Sequence, residues 1–381
     1  MKEKIFAILI SLFTIVAIVG FNHNEKQDVI INNGVKYAIK LNSKKANSFP
    51  VKGKYNVIVN CDNANAKWDY DNWTLNIYNI NAGAACDINF IKIDNYPQLN
   101  DKIMSLQGNK QIFNENGFRY EGKNPDNYIL YNNELWRIIG VFDTNIPNVG
   151  NQDLVKIIRN ESIGGLSWHE DGRYEWPHSK LIELLNGAYL NAEDGTKTNY
   201  CYGYGTFNRN TLMPSNCDYR VVGIQPEYRE MIENVTWYLG SPDIFPCTTN
   251  EFYVNERRDS RKPLNGSKIG LMYVSDYGYS VMSDTCNRDI TLENYNSNNC
   301  AGQSWLYGQS EEWTMIYEPS KESGLYDVAY NISDLGCIST SAIGSGYAVR
   351  PVLYLKSNVY TKGGDGTLGN PYVIGLDDTN P

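Results

Sequence analysis

YILYNNELWRIIGVF, residues 128–142, decides how the larger part of this chain is read. Asn132 and Asn133 stand between two apolar runs, and asparagine tolerates the positive φ that a two-residue hairpin turn demands. The run after the turn is apolar on both faces, through Leu135, Trp136, Ile138, Ile139, Val141 and Phe142. A strand covered from both sides needs such a pattern. Val155 to Ile158 continues the same sheet.

Downstream, Ser179 caps a helix carrying Leu181, Ile182, Leu184 and Leu185, which ends near Asn186 and Gly187. Pro226 opens a second helix, with Tyr228, Met231, Ile232, Val235, Tyr238 and Leu239 at helical spacing and Gly240 closing it. Strand-like pieces follow at Ile269 to Val274, Trp305 to Gly308, Trp313 to Ile316 and Val349 to Lys356. A glycine turn at 363–366 precedes a last strand, Pro371 to Ile374. This order predicts an α+β domain over residues 117–376, with both helices packed on the sheet. Its two most apolar strands, Leu135 to Phe142 and Val349 to Lys356, are expected side by side. Residues 97–116 are polar and read as a linker, and 377–381 as a tail.

Before the linker, residues 27–96 read as a small all-β module of alternating strands. Cys61 shares a face with Tyr55, Val57 and Val59, and Cys86 shares one with Ile88 and Phe90. That phase match pairs Cys61 with Cys86. Between them lies WDYDNW, residues 68–73, which admits two readings. Its tryptophans either form an exposed loop that stacks on a sugar or partner, or cover the disulfide inside a sandwich.

Residues 1–26 hold the one long apolar run, Ile5 to Phe21, after Lys2 and Lys4 and before a polar segment. This is the pattern of an export signal, and it is just long enough to remain as a membrane anchor. A net charge of −9 and a pI near 5.0 argue against a nucleic-acid partner, which needs a basic face. All eight cysteines follow the apolar run. In an exported chain that count predicts four disulfides. Short separations suggest Cys201–Cys217 and Cys286–Cys300, and elimination leaves Cys247–Cys337.

The stretches ELWRIIGVF, KIIRNESIG, WYLG, KIGLMYVSDYGYS and YAVRPVLYLKS resemble a widespread family of bacterial surface proteins. The resemblance covers residues 117–375, and YAVRPVLYLKS is its most specific piece. It implies a distant C-type-lectin-like fold, in the branch that includes formylglycine-generating enzymes. The module before it resembles an immunoglobulin-like domain, and neither resemblance implies an activity.

Candidate chemistry is sparse. Trp168, His169, Asp171, Trp176 and His178 gather on one loop, as an acidic-aromatic binding edge or as ordinary loop polarity. Their spacing matches no zinc pattern, and nothing in the sequence asks for a metal or another cofactor. Arg350, flanked by apolar residues, either clamps a carboxylate ligand or anchors a buried acid or loop carbonyl. Asp276 and Tyr277 are candidate partners for it. No Gly-x-Ser-x-Gly elbow is present, and nothing selects a carboxylate pair from 43 acidic residues. An even cysteine count speaks against a reactive thiol. The expectation is an exported, non-enzymatic surface protein that displays a lectin-like domain for a glycan, peptide or protein. The alternatives are a secreted enzyme acting on surface glycans or peptides, and a purely structural envelope component.

Overall fold

The computed structural model describes residues 30–377, apart from 33, 54, 71, 93–95, 109–110, 169–174, 196–216, 243–244, 259–262, 283–285, 297–298 and 319–327. The expected export helix, His169, Asp171 and Cys201 lie outside the described residues. No helix among the described residues is long and apolar enough to cross a membrane. The chain is mostly β-sheet with a few short helices, and it divides into two compact units between Tyr96 and Pro97.

The first unit contains β1 (Ile30–Asn32), β2 (Val35–Leu41), β3 (Lys44–Ala46), β4 (Tyr55–Asp62), β5 (Asn65–Asp69), β6 (Thr74–Tyr78) and β7 (Ala85–Lys92). One sheet runs β1-β2-β7-β4, with β3 also on β2, and β5 and β6 form a separate hairpin. Alternation sets the core: Cys86, Ile88 and Phe90 of β7 are buried while their neighbours are not. Trp68 packs edge-on against Phe90, with ring centroids 4.9 Å apart. Trp73 is half-buried and donates its indole N–H to the Pro50 carbonyl at 2.8 Å. Both tryptophans of WDYDNW therefore serve the core.

The second unit begins without a linker. Gln98 bridges to Tyr360, and α1 (Leu99–Met104) buries Leu99 and Ile103 completely in the main core. Asn100, Asp101 and Lys102, among the polar residues that suggest a linker, lie on the outer face of this helix. After it come β8 (Ile112–Asn114), β9 (Phe118–Tyr120), β10 (Tyr128–Tyr131), β11 (Glu134–Ile146), β12 (Gly150–Arg159) and β13 (Gly165–Leu166). The chain continues through α2 (Lys180–Leu184), α3 (Pro226–Arg229), α4 (Thr249–Glu256), β14 (Ile269–Gly270) and α5 (Val274–Tyr279). It ends with β15 (Glu312–Glu318), β16 (Val328–Ile332), β17 (Ile338–Ala342), β18 (Tyr347–Ala348), β19 (Val352–Tyr354), β20 (Val359–Gly363) and β21 (Tyr372–Leu376). Asp377, expected in a tail, is buried and bonded through its N–H to Asn358.

The main sheet runs β14-β19-β12-β11-β10-β21-β20, and a second runs β13-β18-β15-β16-β17. Asn132 and Asn133 adopt positive φ, 56° and 59°, and turn β10 into β11 as the sequence predicts. At Gly140, β9 crosses so closely that a Cβ would lie 2.2 Å from the Phe118 carbonyl oxygen. The two most apolar strands are not neighbours: β12 lies between β11 and β19. The last strand, β21, instead pairs parallel with β10, the third strand of this unit.

Ser179 caps α2 through its Oγ, which accepts from the Ile182 N–H at 3.1 Å. The Pro226 helix stops after one turn, at Arg229. Ile232 then bridges to Leu355, and Trp237 to Leu264. Val235, Thr236 and Trp237 favour extended backbone, and long-range pairing overrides the helical spacing. Of the later strand-like pieces, Ile269 to Val274 is a two-residue strand that leads into α5, and Trp305 to Gly308 contains no strand.

Candidate functional site

The most unusual chemistry in the second unit is a cluster of buried ions between the main sheet and two short helices. Arg119 comes from β9, Lys156 from β12, Glu256 from the end of α4 and Asp276 from α5. All four are at most 2 % exposed. Helices α4 and α5 approach closely because residue 278 is glycine: a Cβ there would lie 2.4 Å from Thr249 Oγ1. This contact brings Ser275 to Glu256. The Ser275 N–H donates to Glu256 Oε1 at 3.0 Å, and its hydroxyl donates to Oε2 at 2.5 Å.

Asp276 is the hub. Its Oδ2 accepts from Lys156 Nζ at 2.5 Å and from the Tyr273 N–H at 3.0 Å, and its Oδ1 accepts from Arg119 Nη1 at 3.1 Å. The Arg119 guanidinium lies 4.5 Å from the ring centres of both Phe142 and Tyr279, and Nε and Nη2 donate to the Glu115 and Asn116 carbonyls. Lys156 Nζ faces Tyr273 at 4.3 Å and Tyr354 at 5.5 Å. Arg257, the one member with access to solvent, lies 3.5 Å from Glu256 Oε2.

These surroundings set the protonation of each group. Burial resists ionisation of Asp276, but Lys156 and Arg119 outweigh it and hold the carboxyl below its usual range. Burial pulls the Lys156 ammonium down to about 8, against the attraction of Asp276. Burial pushes Glu256 up to about 7, with Arg257 and the Ser275 hydrogen bonds acting the other way. Strong perturbation of this kind marks sites as well as structural ion networks.

The residues singled out from the sequence are placed differently. Trp168 and Trp176 are wholly buried and pack on each other, with ring centroids 4.8 Å apart. Trp168 also packs on Trp313, so neither ring offers a face to a ligand. His178 is exposed beside Glu175. Arg350 is buried and forked onto Glu312, with Nε to Oε1 at 2.7 Å and Nη2 to Oε2 at 2.8 Å. Its Nη2 also donates to the Leu306 carbonyl, so Arg350 holds a buried acid and a loop carbonyl at once. Asp276 is not its partner. Among the described residues, no group of three or more His, Cys, Asp or Glu side chains is placed to hold a metal ion.

Cys61–Cys86 and Cys286–Cys300 are disulfides, and Cys217 is disulfide-bonded. The expected Cys247–Cys337 bridge is absent, and both residues are thiols. Elimination carries no geometry: Cys337 is held in the turn after β16 by Ser333 Oγ, 3.0 Å from its sulfur, while Cys247 packs by Leu292. Burial, with Glu251 behind it, pushes the Cys247 thiol up to about 11 and so keeps it protonated.

No family model, curated protein or solved structure matches this chain. Sequence reasoning missed Arg119, Lys156 and Glu256. A signal was present for Lys156, a lone cation in the apolar strand run LVKII, which demands a buried partner.

Proposed function

We propose that the chain is an exported surface protein, anchored or processed through residues 1–26, whose second unit is a lectin-like domain that binds a ligand or partner. The observation that carries this reading is the oxidised cysteines, with Cys61–Cys86 in the first unit and Cys286–Cys300 in the second. Such bonds persist in oxidising compartments. The apolar run after Lys2 and Lys4 supplies the route out. The parallel pairing of β21 on β10 supports the lectin-like reading, because it returns the end of the unit to a strand near its start.

The first unit serves as an immunoglobulin-like spacer, with one departure. Its disulfide joins directly paired residues of neighbouring strands, with Cα atoms 4.0 Å apart, where immunoglobulin domains bridge two sheets. Ligand contact falls to exposed loop residues, since Trp168, Trp176 and Arg350 are committed to the interior. Deleting residues 1–26 tests export: the shortened chain should stay in the cytoplasm with Cys61 and Cys86 reduced. Recovery of that chain outside the cytoplasm with its disulfides formed would overturn the reading.

A further inference from the structure

We propose that Lys156 and Asp276 condense into an intramolecular amide, a self-formed cross-link between β12 and α5. One proton first passes from Nζ to Oδ2 along their hydrogen bond, which leaves a neutral amine and a neutral acid; Nζ then adds to Cγ, its second proton follows to Oδ2, and the Cγ–Oδ2 bond breaks to release water. The products are one amide and one water, with no oxidant, reductant or activated donor required. Oδ1 remains as the amide carbonyl.

The geometry supplies what this reaction lacks in solution. Nζ and Oδ2 are 2.5 Å apart, in direct hydrogen-bond contact. Both side chains are 1 % exposed, so the reactants are held together and apart from bulk water. Arg119 Nη1, 3.1 Å from Oδ1, stabilises the negative charge that grows there as the amine adds. After condensation, the same donor is available to the amide carbonyl. The Lys156 amine needs only a modest loss of proton affinity to become a nucleophile, and burial supplies it.

An inert ion pair fits these surroundings less well. An ammonium has three donors, and among the described residues Asp276 Oδ2 is the one acceptor within hydrogen-bond reach of Nζ. The other neighbours are ring faces, those of Tyr273 and Tyr354 closest. Condensation removes one buried charge of each sign and leaves the Arg119 guanidinium with the amide carbonyl and the Glu115 and Asn116 carbonyls. The link joins residues 120 positions apart, so it ties the sheet to the helix layer.

Peptide mapping of the purified, reduced and denatured full chain tests the proposal. The expected result is a branched tryptic species that contains both Lys156 and Asp276, lighter than its two peptides by one water, with no cleavage after Lys156. A Lys156→Arg variant should lose the branched species and restore cleavage at that position. Complete cleavage after Lys156 in the native chain, with the Asp276 peptide at its full mass, would overturn the proposal. That outcome decides the matter even if the variant does not fold.

Discussion

Removing the Glu312 carboxylate should destabilise the second unit as strongly as truncating a large core side chain. Glu312 opens β15 in the second sheet, while Arg350 lies between β18 and β19, so the fork ties the two sheets together. Both residues are buried, at 2 % and 8 % exposure. Glu312→Ala leaves the guanidinium with the Leu306 carbonyl alone, and an uncompensated buried charge costs about 3–5 kcal/mol. Against a typical stability of about 5–15 kcal/mol, that is a large fraction. Arg350→Met should cost a similar amount by stranding the carboxylate. The pair Glu312→Leu with Arg350→Met strands no charge and should cost no more than either single change. Urea unfolding followed by tryptophan fluorescence reads all four proteins, because Trp168 and Trp313 lie beside this junction. The reasoning fails if either single variant is within about 1 kcal/mol of the parent, the range of a surface ion pair. It also fails if the double variant costs the sum of the singles.

Three further outcomes follow from the same structure. Glu256 holds its proton more tightly folded than unfolded, so stability present at low pH is lost as pH rises through about 7. Unfolding free energies from urea titrations should fall between about pH 5 and pH 8 by an amount on the order of 3 kcal/mol, and Glu256→Gln should flatten that slope. Cys286→Ser opens a 14-residue separation and should cost roughly 3 kcal/mol under non-reducing conditions, with reductant lowering the parent at least as far because the Cys217 disulfide is reduced too. Trp168→Ala should destabilise by about 3–5 kcal/mol as a core truncation, measured by thermal unfolding, and the loss should appear without any ligand present.

Local chemistry was legible in the sequence, and long-range placement was not. The Asn132–Asn133 turn, the Ser179 cap and the Cys61–Cys86 pairing each depend on backbone preference or strand phase within a short span. The Pro226 helix failed because its apolar spacing fits a helix and an extended chain equally well. The partners that decided between them, Leu355 and Leu264, are far off or out of pattern. Residues 97–116 read as a linker because a short helix with two buried positions, Leu99 and Ile103, looks polar when taken alone. Lys156 and Asp276 lie too far apart for any motif to connect them, and only the isolation of a lysine among apolar strand residues hinted at a buried partner. The buried tryptophans gave no sign either way, since the same residue packs cores and contacts ligands.

Protease added to intact cells, followed by thiol trapping of the surviving and released fragments, tests export most directly. The account predicts that the chain is cut from outside while cytoplasmic proteins survive. It also predicts that Cys61, Cys86, Cys286 and Cys300 resist alkylation until reductant is added, while Cys247 and Cys337 are alkylated on denaturation alone. Full protection of the chain in intact cells, with Cys61 and Cys86 alkylated without reductant, would contradict it.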